Sequence, residues 1–574
     1  MQDRIQHYMT LRLFAIIVML TFGTNVFGQN KMNYWHFGDK AGLDFSSGIP
    51  IATNSSLYAY EGVASISDGC SALFYTDGDT VFDRNNQPMP NGFGLAGKCS
   101  GFWGISSNSQ SAIIIPQPNS DSLFYIFTVD CVEDTLIDGL QYSVVNMKLN
   151  GGFGDVILKN VPLHQTVDEK ITATRHGNGC DYWIVVHEYF SNALYSYKLT
   201  SSGLDTIPVI SNTGQVHGQA NSSIFDCARG YMKFSPDGNK LAVASTDGVF
   251  NYCNFLFPEM FNFDNNTGII NSAYIIDTVT EANYGSVPPP YGVSFSPDNT
   301  KLYMSSGFYG WMLYQYDLNA GTPMDIMNSR IKLSLTPDSL AFDITNSALQ
   351  IGPDGKIYIA TDSTFVSVIN NPNEQGFACN YSRYSTMMLP NAWCLSGLPN
   401  FPDNFLNITL NANFTLSIGN VGDTVTFTNL SNGGNIWHWD FGDGTFSNAL
   451  NANHVYVSPG IYTVVLTIFD GCDYDRHCET IEINPTSIYG NYSSHEYRIY
   501  PNPTKQFATL EFYNPNKMSC TLLLYDTYGK LIQSTKNITA DKVKIENRNL
   551  ASGLYFFKLS DEKRTIAVGK LTFE

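Results

Sequence analysis

A short turn running into an apolar strand recurs six times in the first 360 residues, and this repetition restricts the fold more than any other feature of the chain. The strings SDGCSALFY, SDSLFYIF, CDYWIVV, SPDGNKLAV, SPDNTKLYM and GPDGKIYIA carry Asp68, Asp121, Asp181, Asp237, Asp298 and Asp354, at separations of 53, 60, 56, 61 and 56 residues. Asp accepts hydrogen bonds from the backbone just ahead of it, and Gly or Asn takes the positive φ of a tight turn. Most repeats continue into a second alternating strand, such as NALYSYKL, WMLYQYDL or TFVSVI. Units of about 57 residues built of short strands and turns predict blades of a β-propeller, since solenoids of that period normally carry helices. The stretch from Asn33 to about Asp403 has room for six or seven of them. Asn33–Phe45 (NYWHFGDKAGLDF) lacks a turn-strand pair of its own, so its strand is expected to complete the last blade, closing the ring and hiding strand edges.

The net charge of −19 disfavours a nucleic-acid partner. From Pro485 onward 12 Lys and Arg face 8 Asp and Glu, so the last segment is near +4 and the remainder near −23, as for a separately recognised module. Arg4 and Arg12 precede the apolar run Leu13–Phe22, and Val26 and Gly28 offer small residues for cleavage, which predicts a signal peptide over 1–28. That run is too short to span a bilayer and no later one reaches eighteen residues, so no transmembrane span is expected in the mature chain. Eleven cysteines in an exported chain predict disulfides. Their connectivity is not readable from spacing; Cys379 with Cys394 is the simplest neighbour pair.

Two further modules follow the repeat. In IWHWDFGDGTFS, Trp437, Trp439 and Phe441 lie two apart and share one strand face, Asp440 lies between them, and Gly442, Asp443 and Gly444 make the hairpin turn. HVYVSPGIYTVVLTI adds Tyr456 and an opposing face from Tyr462, Val464, Leu466 and Ile468. Together these elements resemble the polycystic kidney disease (PKD) domain, an immunoglobulin-like sandwich, over 407–484. In that resemblance Cys472 and Cys478 would bridge the final hairpin, the tryptophans are core residues in preference to a carbohydrate platform, and the module is a spacer. After a linker at 485–496, residues 497–574 carry Pro501-Asn502-Pro503, a YGK hairpin at Gly529, an SGLY strand at Gly553 and the terminal Gly-Lys-Leu with Lys570 and Leu571. This order resembles the type A C-terminal sorting domain of the type IX secretion system of Bacteroidetes. The resemblance implies the secretion machinery as partner, passage through the periplasm, and a secreted or outer-membrane cell-surface location. WHFGDKAGLDF, LFYTDGDTVFDRNNQPMPNG, SQSAIII and GLPNF, within a propeller-like region at 30–405, resemble the N-terminal region of large secreted Bacteroidetes surface proteins, which implies no catalytic residues.

Candidate chemistry is sparse. His187-Glu188 lacks the second His of a zincin, and there is no G-x-S-x-G, P-loop or Rossmann glycine pattern. His176 and His187 flank an apolar strand, where satisfied polar residues are expected, and no zinc spacing occurs. Acidic residues cannot be paired across blades from sequence. No catalytic, cofactor-binding or metal residues are expected, with calcium at the Asp-Gly turns kept as an alternative. The chain is thus expected to be all-β, an N-terminal β-propeller of six or seven blades followed by two immunoglobulin-like β-sandwich domains. Its expected function is an exported binding or adhesin-type protein, not an enzyme, with the propeller as platform for an extracellular glycan or protein. The alternative is a propeller-type extracellular glycan hydrolase or lyase.

Overall fold

The structure, a computed structural model, describes residues 30–574 apart from 98, 100–106, 135, 219–227, 247–256, 279–289, 307–311, 334–346, 408–409, 418, 485–496 and 562–563. The expected signal segment 1–28 and the linker 485–496 lie outside the described residues, as do Cys227 and Cys253. Among the described residues the chain is all-β with one short α-helix, Pro323–Asn328. It divides into two compact units, of which the first holds the repeat region and most of the sandwich up to Ile483 and the second holds Asn484–Glu574 with two short pieces, Asn420–Gly422 and Val457–Pro459.

Residues 34–387 form seven small antiparallel sheets in chain order. Each turn repeat is the hairpin between the first two strands of a sheet, as with Arg229–Phe234 and Lys240–Thr246 around Asp237. There the Asp237 carboxylate accepts from Ser235 Oγ at 2.5 Å and from the Asn239 amide at 3.1 Å, while Gly238 takes φ +72°. First strands such as Ala112–Pro116 are buried throughout, because a strand covered on both sides has no solvated face to alternate. Each first strand packs against the first strand of the next sheet, from Tyr34–Phe37 through to Leu349–Ile351. The last sheet meets the first through Tyr358, which lies edge-on to Trp35 and Phe45 at ring-centroid distances of 5.4 and 5.3 Å. Among the described residues the sheets stay separate and do not join into one closed sheet.

The role expected of Asn33–Phe45 is overturned. Tyr34–Phe37 and Asp39–Asp44 fold back on each other and, with Ile51–Tyr58, make a sheet of their own, while the last sheet supplies all four of its strands. The reversal falls at Gly38, at φ +60°, where a Cβ would stand 2.1 Å from the Trp393 carbonyl oxygen. It is the chain after the last sheet that laces the ends together. Asp39 and Trp393 exchange two backbone hydrogen bonds of 2.9 Å, and the Ser396 and Asn400 amides donate to the Tyr60 and Val63 carbonyls at 2.9 and 2.8 Å. The Asn400 side chain then donates to the Ala112 and Ile171 carbonyls at 3.3 and 3.0 Å and accepts from Lys233 at 3.2 Å, tying sheets three, four and five to the lace. Gly397 is the only residue type that fits its place, since a Cβ there would lie 1.6 Å from the Glu61 carbonyl oxygen. The GLPNF motif is therefore a structural tie.

Residues 414–483 form a two-sheet sandwich, with three strands in one sheet and four in the other. Trp439 is fully buried against Phe414 and Phe427 at 5.1 and 5.7 Å, and its Nε1 donates to the Ala449 carbonyl at 2.9 Å. The sandwich is not held off as a spacer. Its final hairpin, Gly460–Phe469 with Tyr474–Ile483, docks on the turns of sheets two, three and four. Disulfides join Cys70 to Cys478 and Cys180 to Cys472, with Cα–Cα distances of 5.3 and 4.8 Å. Arg476 reaches Asp68 at 3.1 Å and Asp121 at 3.8 Å, the Cys472 carbonyl accepts from the Asn119 amide at 2.9 Å, and Asp473 pairs with Lys31 and Arg175. The expected Cys472–Cys478 bridge does not form, because the strand register sets Cys478 opposite Val465 and leaves Cys472 in the turn, each beside a body cysteine. Cys379 and Cys394 are buried free thiols, Cys379 closing the turn Gly376–Cys379 and Cys394 accepting from the Thr361 amide. Cys99 pairs with Cys131.

The second unit is another two-sheet sandwich, again three strands against four. Leu510, Phe512, Leu522, Leu524, Phe557 and Leu571 fill its core.

Candidate functional site

The strand Val167–Arg175 opens Val-Asp-Glu-Lys, and Asp168, Glu169 and Lys170 are all fully buried. Three buried charges in a row are costly unless each is paired and hydrogen-bonded. Successive side chains alternate across a strand, so Glu169 enters one cluster and Asp168 with Lys170 another.

In the first cluster, Glu169 Oε2 accepts from the Ser109 amide at 3.0 Å and its hydroxyl at 2.8 Å, and Oε1 accepts from the Val132 amide at 2.9 Å. Arg229 pairs with Glu133 at 2.6 Å, and Tyr291 donates to Glu61 at 2.7 Å. Burial, and after it the charge of Glu169, push Glu61 up to about 8, so this carboxyl is neutral and a proton donor at pH 7. Burial also raises Glu169, against the pull of Arg229. Tyr231, whose ring meets Tyr291 at 5.3 Å, keeps a buried hydroxyl with no hydrogen-bond partner among the described residues. A neutral acid, carboxylates, a guanidinium and phenols together form a hydrogen-bonding set suited to a polar ligand.

Glu61, Ser109, Glu169, Arg229, Tyr231 and Tyr291 stand at or just before the starts of first strands, and Glu133 just after the end of a second strand, which is the opposite end from the Asp turns. The short turns 235–239, 296–300 and 352–356 lie at the other end.

In the second cluster, Asp168 Oδ2 takes Lys170 Nζ at 2.8 Å and His217 Nδ1 at 2.5 Å, with His187 Nδ1 at 3.8 Å. The two imidazoles stack with centroids 3.6 Å apart. His217 Nε2 lies 3.9 Å from Glu259 Oε2. Burial pushes Asp168 up, but Lys170 and His217 outweigh it and hold this carboxyl well below its usual range. Burial lowers His217 and Asp168 more than restores it, so the net shift is upward; His187, desolvated and beside His217, is driven well below its ordinary value.

Neither cluster is visible in the spacing of the chain, and His187 is not the plainly satisfied residue expected. The available signal was the run of three charges that follows Val167 at the start of this strand. His176 stays apart, accepting from the Asn178 amide in a turn and stacking on Trp183. The turn carboxylates that kept calcium open are already engaged, Asp298 with Ser296, the Thr300 amide and the Thr300 hydroxyl, and Asp68 and Asp121 with Arg476.

The motif residues of the sandwiches do assemble. Phe441 is buried, Trp437 and Tyr462 are half-buried, and Gly442 and Gly444 take φ +78° and +86° in the expected turn. Asp440 accepts from the Gly442 amide at 2.9 Å, Asp443 holds His454 at 2.7 Å, and Tyr456 donates to the Phe441 carbonyl at 3.0 Å. In the second unit Asn502, between Pro501 and Pro503, donates to the Lys570 carbonyl at 3.0 Å and accepts from the Thr572 amide at 2.9 Å. Gly529 takes φ +76° in its hairpin, Gly553 opens a strand opposite Phe573, Lys570 is exposed and Leu571 is buried.

Comparison with known proteins agrees with this division. Residues 412–485 match the PKD domain, and residues 498–573 match the secretion system C-terminal sorting domain. The chain is thus an exported protein with a PKD domain and a type IX sorting tail, addressed to the secretion machinery and to the cell surface or the medium. No helix among the described residues is long and apolar enough to cross a membrane. No curated protein matches the chain. Among solved structures, the PKD1 domain of the Vibrio cholerae metalloprotease PrtV is 34% identical over 13% of this chain and 99% of that one, with a TM-score of 0.13. The PKD1 domain of Vibrio anguillarum Epp is 28% identical over 14% and 96%, also at 0.13. A gluconolactonase from Xanthomonas campestris is 11% identical over 50% and 78%, at 0.26. None of these carries a ligand or an activity across to this chain.

Proposed function

We propose that the seven sheets are the blades of a β-propeller and that the protein is an exported binding protein whose ligand enters at the strand-start end. The observation that supports this reading is the set of buried Glu61, Glu169, Tyr231 and Tyr291 with half-buried Glu133 and Arg229 at that end, with the PKD domain fastened over turns at the opposite one. In this reading the PKD domain is a brace on the body, the sorting domain directs export, and no cofactor takes part. A polar set with a neutral carboxyl fits a hydroxyl-rich ligand, hence an extracellular glycan. Glu61, held as an acid, also favours a second reading, a glycan hydrolase with Glu61 as proton donor. Incubating the purified full-length chain with soluble starch, xylan, mannan, alginate and chitosan separates the two. Retention without change in polymer length is expected; release of oligosaccharides establishes the enzyme, and neither retention nor release removes the glycan reading.

A further inference from the structure

We propose that Asp168, His187 and His217 form a site for one divalent transition-metal ion of the class that prefers imidazole and carboxylate donors, with Zn²⁺ as the probe. Asp168 and His187 lie on the paired strands Val167–Arg175 and Tyr182–Glu188, and His217 follows the last strand of the same sheet, Gly203–Asn212. One ligand atom from each lies within 4.8 Å of the other two, and all three residues are buried.

The hydrogen bonds leave donors free. His187 Nδ1 lies 2.9 Å from the Glu188 carbonyl oxygen, which only accepts, so the proton sits on Nδ1 and Nε2 carries a lone pair. Among the described residues that Nε2 is buried without a hydrogen-bond partner, and the same holds for Asp168 Oδ1. Two buried polar atoms of one group without a hydrogen-bond partner are uncommon in a native protein, and each calls for an explanation such as an ion. An ion between Asp168 Oδ2 and His217 Nδ1, which lie 2.5 Å apart, would take the place of the proton they share, so its binding is expected to release a proton. Lys170 supplies the balancing charge to Asp168 and is held independently by the Ala228 carbonyl at 2.7 Å, so it keeps a partner if the carboxylate turns to an ion.

The test uses the full-length chain stripped with a chelator. One Zn²⁺ per chain is expected by mass spectrometry after dialysis, and Co²⁺ in its place is expected to give visible d–d absorption. His187→Gln and His217→Gln should each weaken binding by about tenfold or more, whereas His438→Gln, at an exposed residue of the PKD domain, should change nothing. Folded His217→Gln protein that binds Zn²⁺ as the wild type does would overturn the site. If the histidine variants fail to fold, the wild-type Co²⁺ spectrum decides alone, since its absence at stoichiometric Co²⁺ contradicts the proposal without any substitution.

Discussion

At the hairpin end of the seven-sheet body Asp237 and Asp298 each serve their own turn, Asp237 bonding Ser235 and Asn239 and Asp298 bonding Ser296 and Thr300, while Asp68 and Asp121 also take Arg476 of the docked PKD domain. At the strand-start end Glu61, Glu169, Arg229 and Tyr291 come from four sheets and owe their hydrogen bonds and ion pairs to the assembled body. The first kind of order is cheap and local and is repaid within five residues. The second requires burying charge, which a protein tolerates where the charge is used or thoroughly paired. The comparison therefore separates scaffold from candidate site by the range over which each carboxylate finds its partners.

The largest effect is expected where the two ends of the chain are laced. Gly397→Ala would press a methyl carbon onto the Glu61 carbonyl oxygen, and a loss of about 4 kcal/mol or more in denaturant unfolding is expected from such overpacking of backbone. Unchanged stability would mean that the GLPNF segment does not tie the body. Next comes the brace. Replacing Cys70, Cys478, Cys180 and Cys472 by Ser removes two crosslinks that close very long loops, at about 2 to 4 kcal/mol each. The PKD domain of that variant should become protease-sensitive, and peptide mapping of the wild type without reductant should recover both pairs; a Cys472–Cys478 peptide would refute the docking.

A smaller and pH-dependent effect belongs to Glu61. Its carboxyl is raised from 4.5 to about 8 by burial and by Glu169, with Tyr291 and Arg229 opposing and Glu133 adding to the rise. The folded state therefore binds the extra proton between those values, so stability is full below the lower value and falls as pH rises through the window, by roughly 1 kcal/mol per pH unit. Glu61→Gln should flatten that slope and melt higher than wild type at pH 9 while matching it near pH 4. Equal slopes would place Glu61 in an ordinary carboxylate environment. Smallest of all, Asp298→Asn keeps an acceptor in its turn and should cost under about 1 kcal/mol.

The same contrast explains what was legible in the sequence. The hairpins at Asp68 through Asp354, the PKD core around Trp439 and the sorting hairpin at Gly529 rest on residues close in sequence, so pattern alone found them. The first sheet escaped because Gly38 reverses the chain without an Asp turn, and its strand was assigned to the last sheet for want of a partner. The disulfides escaped because a hairpin of the PKD domain, once folded, carries Cys472 and Cys478 to cysteines of sheets four and two. The charged clusters escaped for the same reason, apart from the Asp-Glu-Lys run at 168–170, whose burial no periodicity announces.

The most direct test of the central claim compares substitutions at the two ends in one binding assay. Arg229→Gln and Glu133→Gln, at the strand-start end, and Asp298→Asn, at the hairpin end, would be measured as full-length proteins against the polysaccharide retained in the panel. The account predicts a loss of about tenfold or more in retention for the first two, the size expected when one partner of a largely desolvated charged pair is removed, and none for the third. Retention unaffected at Arg229 and Glu133 but lost at Asp298 would contradict it.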